Sequence, residues 1–199
     1  MYTDKEQLEK VLTGCKQNER VAQKELYSNY YGYAMSIALR YASNHDNAVE
    51  MVNDAFLKVF KDLKKFEPRN DNFAASFTAW FKRVVMNACI DHFRKYHKKE
   101  TMANLEIEKI PISDQRQNGE GILTYKEILK CIQQLSPAYR TVFNLNIIEG
   151  FSHAEIADKL NISTGSSKSN LFKARQNLQT LFKNRNVVNH EIEMSTASV

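Results

Sequence analysis

The chain is 199 residues long, 26% charged and 43% apolar, with a formal net charge of +5. Those proportions exclude wholesale disorder and collagen-like structure. Six glycines and three prolines, against the about 12% of average usage, are too few for a fold of many strands and tight hairpins. No apolar run approaches the ~20 residues of a membrane span, and Met1-Tyr2-Thr3-Asp4-Lys5-Glu6 has no signal-peptide core, so the expectation is a cytoplasmic, all-α protein without membrane insertion.

In chain order, Ala22, Leu26, Tyr30, Tyr33, Ile37 and Tyr41 step by three or four residues and predict the buried stripe of a long helix. A turn-like Ser43-Asn44-His45-Asp46-Asn47 follows, then a second stripe of Val49, Val52, Phe56, Val59 and Leu63. Opposite that stripe Glu50, Asn53, Asp54 and Leu57 form an outward patch, acidic with one apolar member. Glu67 to Asn72 has the composition of a loop. A third helix carries Phe77, Phe81, Val84, Ala88 and Asp91 inward, where Asn87 and Arg94 are placed to partner the Asp91 carboxylate. Its outward residues, Lys82, Arg83, Met86, Asn87 and Ile90, lie beside the aromatic group Phe66, Phe73, Phe77 and Trp80. Cations interleaved with aromatics suit single-stranded nucleic acid, although such residues also build ordinary cores and solvated faces.

The charge distribution divides the chain. Lys82 to Lys99 holds six basic residues and one acid, and Thr164 to Arg185 five basic residues and none; between them Glu100 to Gly121 holds five acids and two bases. That spacer contains Pro111, Ser113, Asp114, Asn118, Gly119 and Gly121, so the expectation is two small domains, 1–97 and 122–185, of three to four helices each, joined by a flexible acidic linker over 98–121. A disordered tail is expected over 186–199.

Helix punctuation is clearest in the second domain. Ser136-Pro137 reads as an N-cap followed by proline at N1, Gly150 as a C′ glycine, and Ser152-His153-Ala154-Glu155 as a capping box. Ile156, Ala157 and Leu160 face inward on a two-turn helix, Asn161 takes the left-handed turn, and Thr164 opens a helix with Leu171, Ala174, Leu178 and Leu181 buried. A short helix, a tight turn and a longer helix make a helix-turn-helix, whose second member enters the major groove. Its exposed face offers Ser166, Lys168, Ser169, Phe172, Lys173 and Arg175 to base edges and phosphates.

Enzymatic chemistry finds no footing. His45-Asp46, Asp91-His92 and His153-x-Glu155 complete no nucleophile–base–orienter set, no glycine loop cradles phosphate, and no cofactor or metal is expected. His92 and His97 are read as part of the basic face. The cysteines Cys15, Cys89 and Cys131 form no CxxC or Cys/His grouping and read as free thiols.

Taken together, Ala22-x-x-x-Leu26-Tyr27-x-x-Tyr30-Tyr31, Ala48-Val49-Glu50-Met51-Val52-Asn53-Asp54-Ala55-Phe56-Leu57 and Phe77-x-x-Trp80-Phe81-x-Arg83-Val84-x-x-Asn87-x-x-x-Asp91-x-Phe93-Arg94 resemble region two of bacterial RNA polymerase sigma factors of the extracytoplasmic-function type. Leu135-Ser136-Pro137-x-x-Arg140-x-Val142-Phe143 and Glu149-Gly150-Phe151-Ser152-x-x-Glu155-Ile156-Ala157 are similar to region four. The resemblance implies a transcription initiation factor with core RNA polymerase, promoter DNA and an anti-sigma factor as partners. On matching positions, Glu50, Asn53 and Asp54 would bind the polymerase clamp helices. Lys58, Phe66 and Asn87 would hold a flipped base of the minus-ten element, with Lys82 and Arg83 beside them. Ser166, Lys168, Ser169, Phe172, Lys173 and Arg175 would read the minus-thirty-five element as duplex. Asn53-Asp54 stands where the family has Gln-Glu, and Ser167 where it has a β-branched apolar residue. The rival reading, a stand-alone helix-turn-helix regulator, explains residues 122–185 and leaves the Phe77–Arg94 pattern unexplained.

Overall fold

The computed structural model describes residues 5–68, 72–102 and 124–196, with side chains described for 5–68, 72–96 and 124–182. The described residues are helical throughout, in two compact units, Met1–Lys95 and Tyr96–Val199.

The first unit contains α1 (Lys5–Lys16), α2 (Arg20–Tyr41), α3 (His45–Asp62), a 3₁₀ turn (Leu63–Lys65) and α4 (Phe73–Met102) as far as Lys95. Asn18 takes a left-handed φ of 61° between α1 and α2, which lets the chain reverse within three residues. The two helices then close on Gly14, where an added Cβ would stand 2.7 Å from the Cβ of Ala22. Asn44 caps α3 by accepting from the Asn47 amide at 2.8 Å, and Asn72 caps α4 by accepting from the Ala75 amide at 2.9 Å. The α2 stripe is buried except for half-buried Tyr33, and the α3 stripe except for half-buried Val49.

The phase of α4 differs from the expectation. Phe77, Phe81 and Ala88 are buried, but the core line runs on through Val85, Cys89 and Phe93, while Asp91 is exposed. Met86 and Ile90, expected to face outward, are 5% and 3% exposed. The cause is that α4 is gripped from two sides: Tyr30 of α2 meets Phe77 and Phe81 with ring centroids 5.2 and 4.9 Å apart, and Phe56 of α3 meets Phe81 at 5.4 Å. A helix covered on two flanks buries a wider face than one stripe describes.

The second unit contains α5 (Tyr125–Gln133), α6 (Pro137–Phe143), a π-helical turn (Asn144–Ile148), α7 (His153–Leu160) and α8 (Thr164–Thr196). Every boundary signal read between Ser136 and Asn161 is in place: Ser136 caps α6 with Pro137 in its first turn, Gly150 has φ +78°, and Asn161 has φ 55°. A further capping box, Thr124 with Glu127, opens α5. Cys131, Ile132, Leu135, Ala174 and Leu178 form a core cluster between α5, the turn after it, and α8, flanked by Tyr139, Phe143, Leu181 and Phe182. Ile156, Leu160 and Leu171 are buried where α7 meets α8, with Ala157 half-buried. Arg140 is also enclosed; it donates from Nη2 to the Leu135 carbonyl at 2.9 Å, and burial pushes its guanidinium pKa down to about 10.

Two expectations meet the structure at helix ends. The stretch from 98 to 102, assigned to the linker, continues α4, and the stretch from Asn186, assigned to a disordered tail, continues α8 to Thr196. Between Thr164 and Thr196 the only Gly or Pro is Gly165, so nothing interrupts the helix once it has started. The rest of the expected linker, 103–121, lies outside the described residues.

The α7 capping box permits a direct test. The Ser152 hydroxyl, then its backbone N–H, hydrogen-bond to Glu155 and hold that carboxyl below its ordinary range. A carboxyl lowered in the folded state stabilises above its unfolded pKa, and the benefit disappears as pH falls through the folded value. Ser152→Ala is expected to cost about 1 kcal/mol at neutral pH. In thermal melts the gap from the parent protein should narrow below about pH 4.

Candidate nucleic-acid interface

Three surfaces carry the residues singled out from the sequence. The first lies on α3. Asn53, Asp54 and Leu57 are exposed, Leu57 by 68%. Glu50 is half-buried, and its carboxylate lies 3.8 Å from His92 Nε2 and 3.8 Å from Lys95 Nζ on α4. His92, expected on the basic face, is instead tucked against α3 with its side chain 10% exposed. Burial pushes its imidazole pKa down, against the upward pull of Glu50. Asn53 Oδ1 accepts from the Tyr27 hydroxyl at 3.2 Å, and the Tyr27 ring packs on Phe56 at 4.5 Å. The patch is therefore braced on α2 and α4 while its outer rim stays open.

The second surface joins the end of α3 to α4. Lys82 is half-buried, and Arg83 and Asn87 are exposed. Lys58 is committed to a partner 33 positions away, donating from Nζ to Asp91 Oδ2 at 2.7 Å. Asp91 also takes Arg94 at 3.3 Å. The expected pairing with Arg94 is therefore present, and the expected burial is corrected: the Asp91 carboxylate is half in solvent and its nearest cation is Lys58. Phe66 is 6% exposed. Its ring sits edge-on to Phe73 and Phe77 at 5.7 and 5.4 Å, and tilted to Trp80 at 5.4 Å. The ring thus belongs to the wall of the aromatic cluster and is not a free stacking face; Trp80, half-buried, is the more accessible ring. Residues 69–71 of the intervening loop and the side chains of His97, Lys98 and Lys99 lie outside the described residues.

The third surface is the outer face of α8. Ser166, Lys168, Ser169, Phe172, Lys173 and Arg175 are all exposed, Phe172 by 62%, while Ser167, Leu171, Ala174 and Leu178 are buried on the opposite side. Ser163 caps the helix, accepting from the Ser166 amide at 2.9 Å with its Oγ also 2.9 Å from Ser166 Oγ. The first turn thus presents backbone N–H groups, hydroxyls and a lysine together, a surface suited to phosphates and base edges. Lys159 places Nζ 4.8 Å from the Phe151 ring centroid and steadies the entry to α7. The side chains of Lys183 and Arg185 lie outside the described residues.

The cysteines are buried and free. Burial pushes the Cys15 thiol up to about 11, which keeps it protonated and unreactive at neutral pH. No group of three or more His, Cys, Asp or Glu residues able to hold a metal ion occurs among the described residues, and no helix there is long and apolar enough to cross a membrane.

Sigma-70 region 2 matches residues 26–99, and Sigma-70, region 4 matches residues 125–178, together more than half the chain. ECF RNA polymerase sigma factor SigM of Bacillus subtilis is 26% identical over 164 residues, 82% of this chain and 96% of that protein. ECF RNA polymerase sigma factor SigE of Mycolicibacterium smegmatis is 24% identical over 160 residues, and this chain spans 59% of its length. Among solved structures, the sigma factor RpoE of Bartonella quintana, in complex with the anti-sigma factor NepR, aligns with a TM-score of 0.46 at 24% identity, covering 80% of this chain and 96% of that one. The chain belongs to the sigma-70 family, in its extracytoplasmic-function branch: a non-catalytic, promoter-directing RNA polymerase sigma factor.

Proposed function

We propose that the first unit grips core RNA polymerase through Glu50, Asn53 and Asp54 and holds the melted minus-ten strand along Lys58, Phe66, Lys82, Arg83 and Asn87. The second unit reads the minus-thirty-five element as duplex through Ser166, Lys168, Ser169, Phe172, Lys173 and Arg175. The observation that carries this reading is the strip on α8, where three cations, two hydroxyls and a 62% exposed phenyl ring share one face with no acid among them. An unpartnered aromatic on a cationic helix face is costly in water and useful against a thymine methyl. In the first unit, support comes from exposed Arg83 and Asn87 beside a half-buried Trp80. Phe66 contributes as the packed wall of the aromatic cluster, and Lys58, held by Asp91, contributes only where DNA phosphate displaces that carboxylate. An anti-sigma factor belongs to the same reading through the family resemblance, and the cytoplasm is where such a polymerase partner works.

Melting separates the two kinds of contact. Unstacking a base costs a few kcal/mol, so the protein alone should bind promoter duplex weakly. With core polymerase, permanganate should report open thymines in the minus-ten region. Asn87→Ala removes one exposed amide and should lower that signal about tenfold, leaving closed-complex binding within about twofold. Phe66→Ala should in addition destabilise the unit by about 3 kcal/mol, because the ring is core. Equal losses of opening and closed binding in Asn87→Ala would remove it from the strand-holding set.

A further inference from the structure

Ser167 lies on the inner stripe of α8, in register with Leu171, Ala174 and Leu178, and is completely enclosed, with 0% exposure. A hydroxyl in that setting is destabilising unless it is hydrogen-bonded. Its partner comes from the other helix of the helix-turn-helix: Nδ1 of His153, the first residue of α7, lies 2.9 Å from Ser167 Oγ. His153 is itself half-buried, and its α7 is anchored by Ile156 and Leu160, which are 0% and 3% exposed. Apolar packing at Ile156, Leu160 and Leu171 fixes α8 from its second turn onward, while a buried hydroxyl in the first turn has no apolar fit to give it a preferred direction. The polar pair has one, because a hydrogen bond weakens steeply once its distance or angle departs from the optimum. Ser167 is flanked by Ser166 and Lys168, both exposed on the outer face, so the phase of Ser167 is also the phase of those side chains.

We propose that the His153–Ser167 hydrogen bond sets the orientation of the first turn of the recognition helix, making His153 a positioning residue for base reading by that turn of α8. This rests on the reading of α8 as the minus-thirty-five helix. Residues near the tie, Ser166, Lys168 and Ser169, depend on it, whereas Lys173, more than a turn further along, is held by the Leu171 and Ala174 contacts.

The test uses the full chain assembled with core polymerase, bound to a library of promoters randomised across the minus-thirty-five element. The variants are His153→Ala, Ser167→Ala, their combination, His153→Asn and Ser167→Thr. Each alanine variant should lose about three- to tenfold of preference at the base pairs facing the first turn of α8, with the preference assigned by Lys173→Ala intact. The combination should be no worse than either single change, because both remove the same bond. His153→Asn, which keeps an amide near the Nδ1 position, and Ser167→Thr, which keeps the hydroxyl, should each restore most of the preference. A fold defect common to all variants would instead lower affinity for every sequence alike, and that outcome overturns the proposal. Additive losses in the combination overturn it too. A parent holoenzyme with no preference anywhere in the randomised element overturns the reading of α8 itself, and the positioning role with it.

Discussion

Glu50→Lys combined with Asp54→Lys is expected to abolish co-purification with core RNA polymerase while leaving helicity unchanged. Asp54 is exposed on α3, and Glu50, half-buried one turn earlier, keeps its side chain 42% exposed. Reversal converts two attractive charges into two repulsive ones against a basic partner, a change of several kcal/mol, so affinity should fall at least about a hundredfold. The fold should survive. Glu50 gives up contacts of 3.8 Å to His92, whose side chain is 10% exposed, and to the exposed Lys95; a solvent-exposed pair such as Glu50–Lys95 contributes about 0–1 kcal/mol. Pull-down with purified core, alongside circular dichroism, measures both quantities. Undiminished binding by the double variant would move the polymerase contact off this face of α3.

The second large effect is on α8. Lys168, Ser169, Phe172 and Lys173 recur at intervals that keep them opposite Leu171, Ala174 and Leu178, and all four are exposed. A base-reading side chain provides roughly 1–3 kcal/mol of discrimination at one position, whereas a phosphate contact weakens all sequences equally and lowers the salt slope by about one. Lys173→Ala should therefore relax preference at one or two minus-thirty-five base pairs, by about tenfold or more. Lys183 stands ten residues later on the same helix, about 15 Å along its axis. Lys183→Ala should lower affinity uniformly, leaving the base preferences in place. Holoenzyme binding to the randomised element at two salt concentrations separates the outcomes. Unchanged preference in Lys173→Ala would mean that α8 docks in another orientation.

What was legible in the chain was local. Ser136-Pro137, Gly150, Ser152 with Glu155, and Asn161 each act within a few residues of themselves, and each stands in the structure where its chemistry puts it. The outer strip of α8 was legible for the same reason, since one periodicity places all six residues. The misreadings came from contacts made across the fold. Of the neighbours that Asp91 has on its own helix, Arg94 does pair with it, but its nearest cation, Lys58, reaches it from 33 residues away. Met86 and Ile90 are buried although they lie off the main stripe, because a single stripe does not register that α2 and α3 both pack on α4. Phe66 does group with Phe73, Phe77 and Trp80, but its burial depends on how those rings interlock. Thr124-x-x-Glu127 is a capping box of the same local kind and opens α5. Ser167 is a polar residue in an apolar position; its partner lies fourteen residues back across a turn, a pairing that no local pattern encodes.

The most direct measurement is reconstituted initiation: purified core RNA polymerase, with and without this protein, transcribing a fragmented genomic library, with the 5′ ends of the RNA mapped. The expected result is a new set of start sites that appears only with the protein, shares one element near minus ten and another near minus thirty-five, and vanishes with Glu50→Lys/Asp54→Lys. The opposite result is a start-site profile indistinguishable from that of core alone, accompanied by tight binding of the isolated protein to a palindromic duplex. That outcome would make the second unit a stand-alone helix-turn-helix regulator and would leave the polymerase surface on α3 without a role.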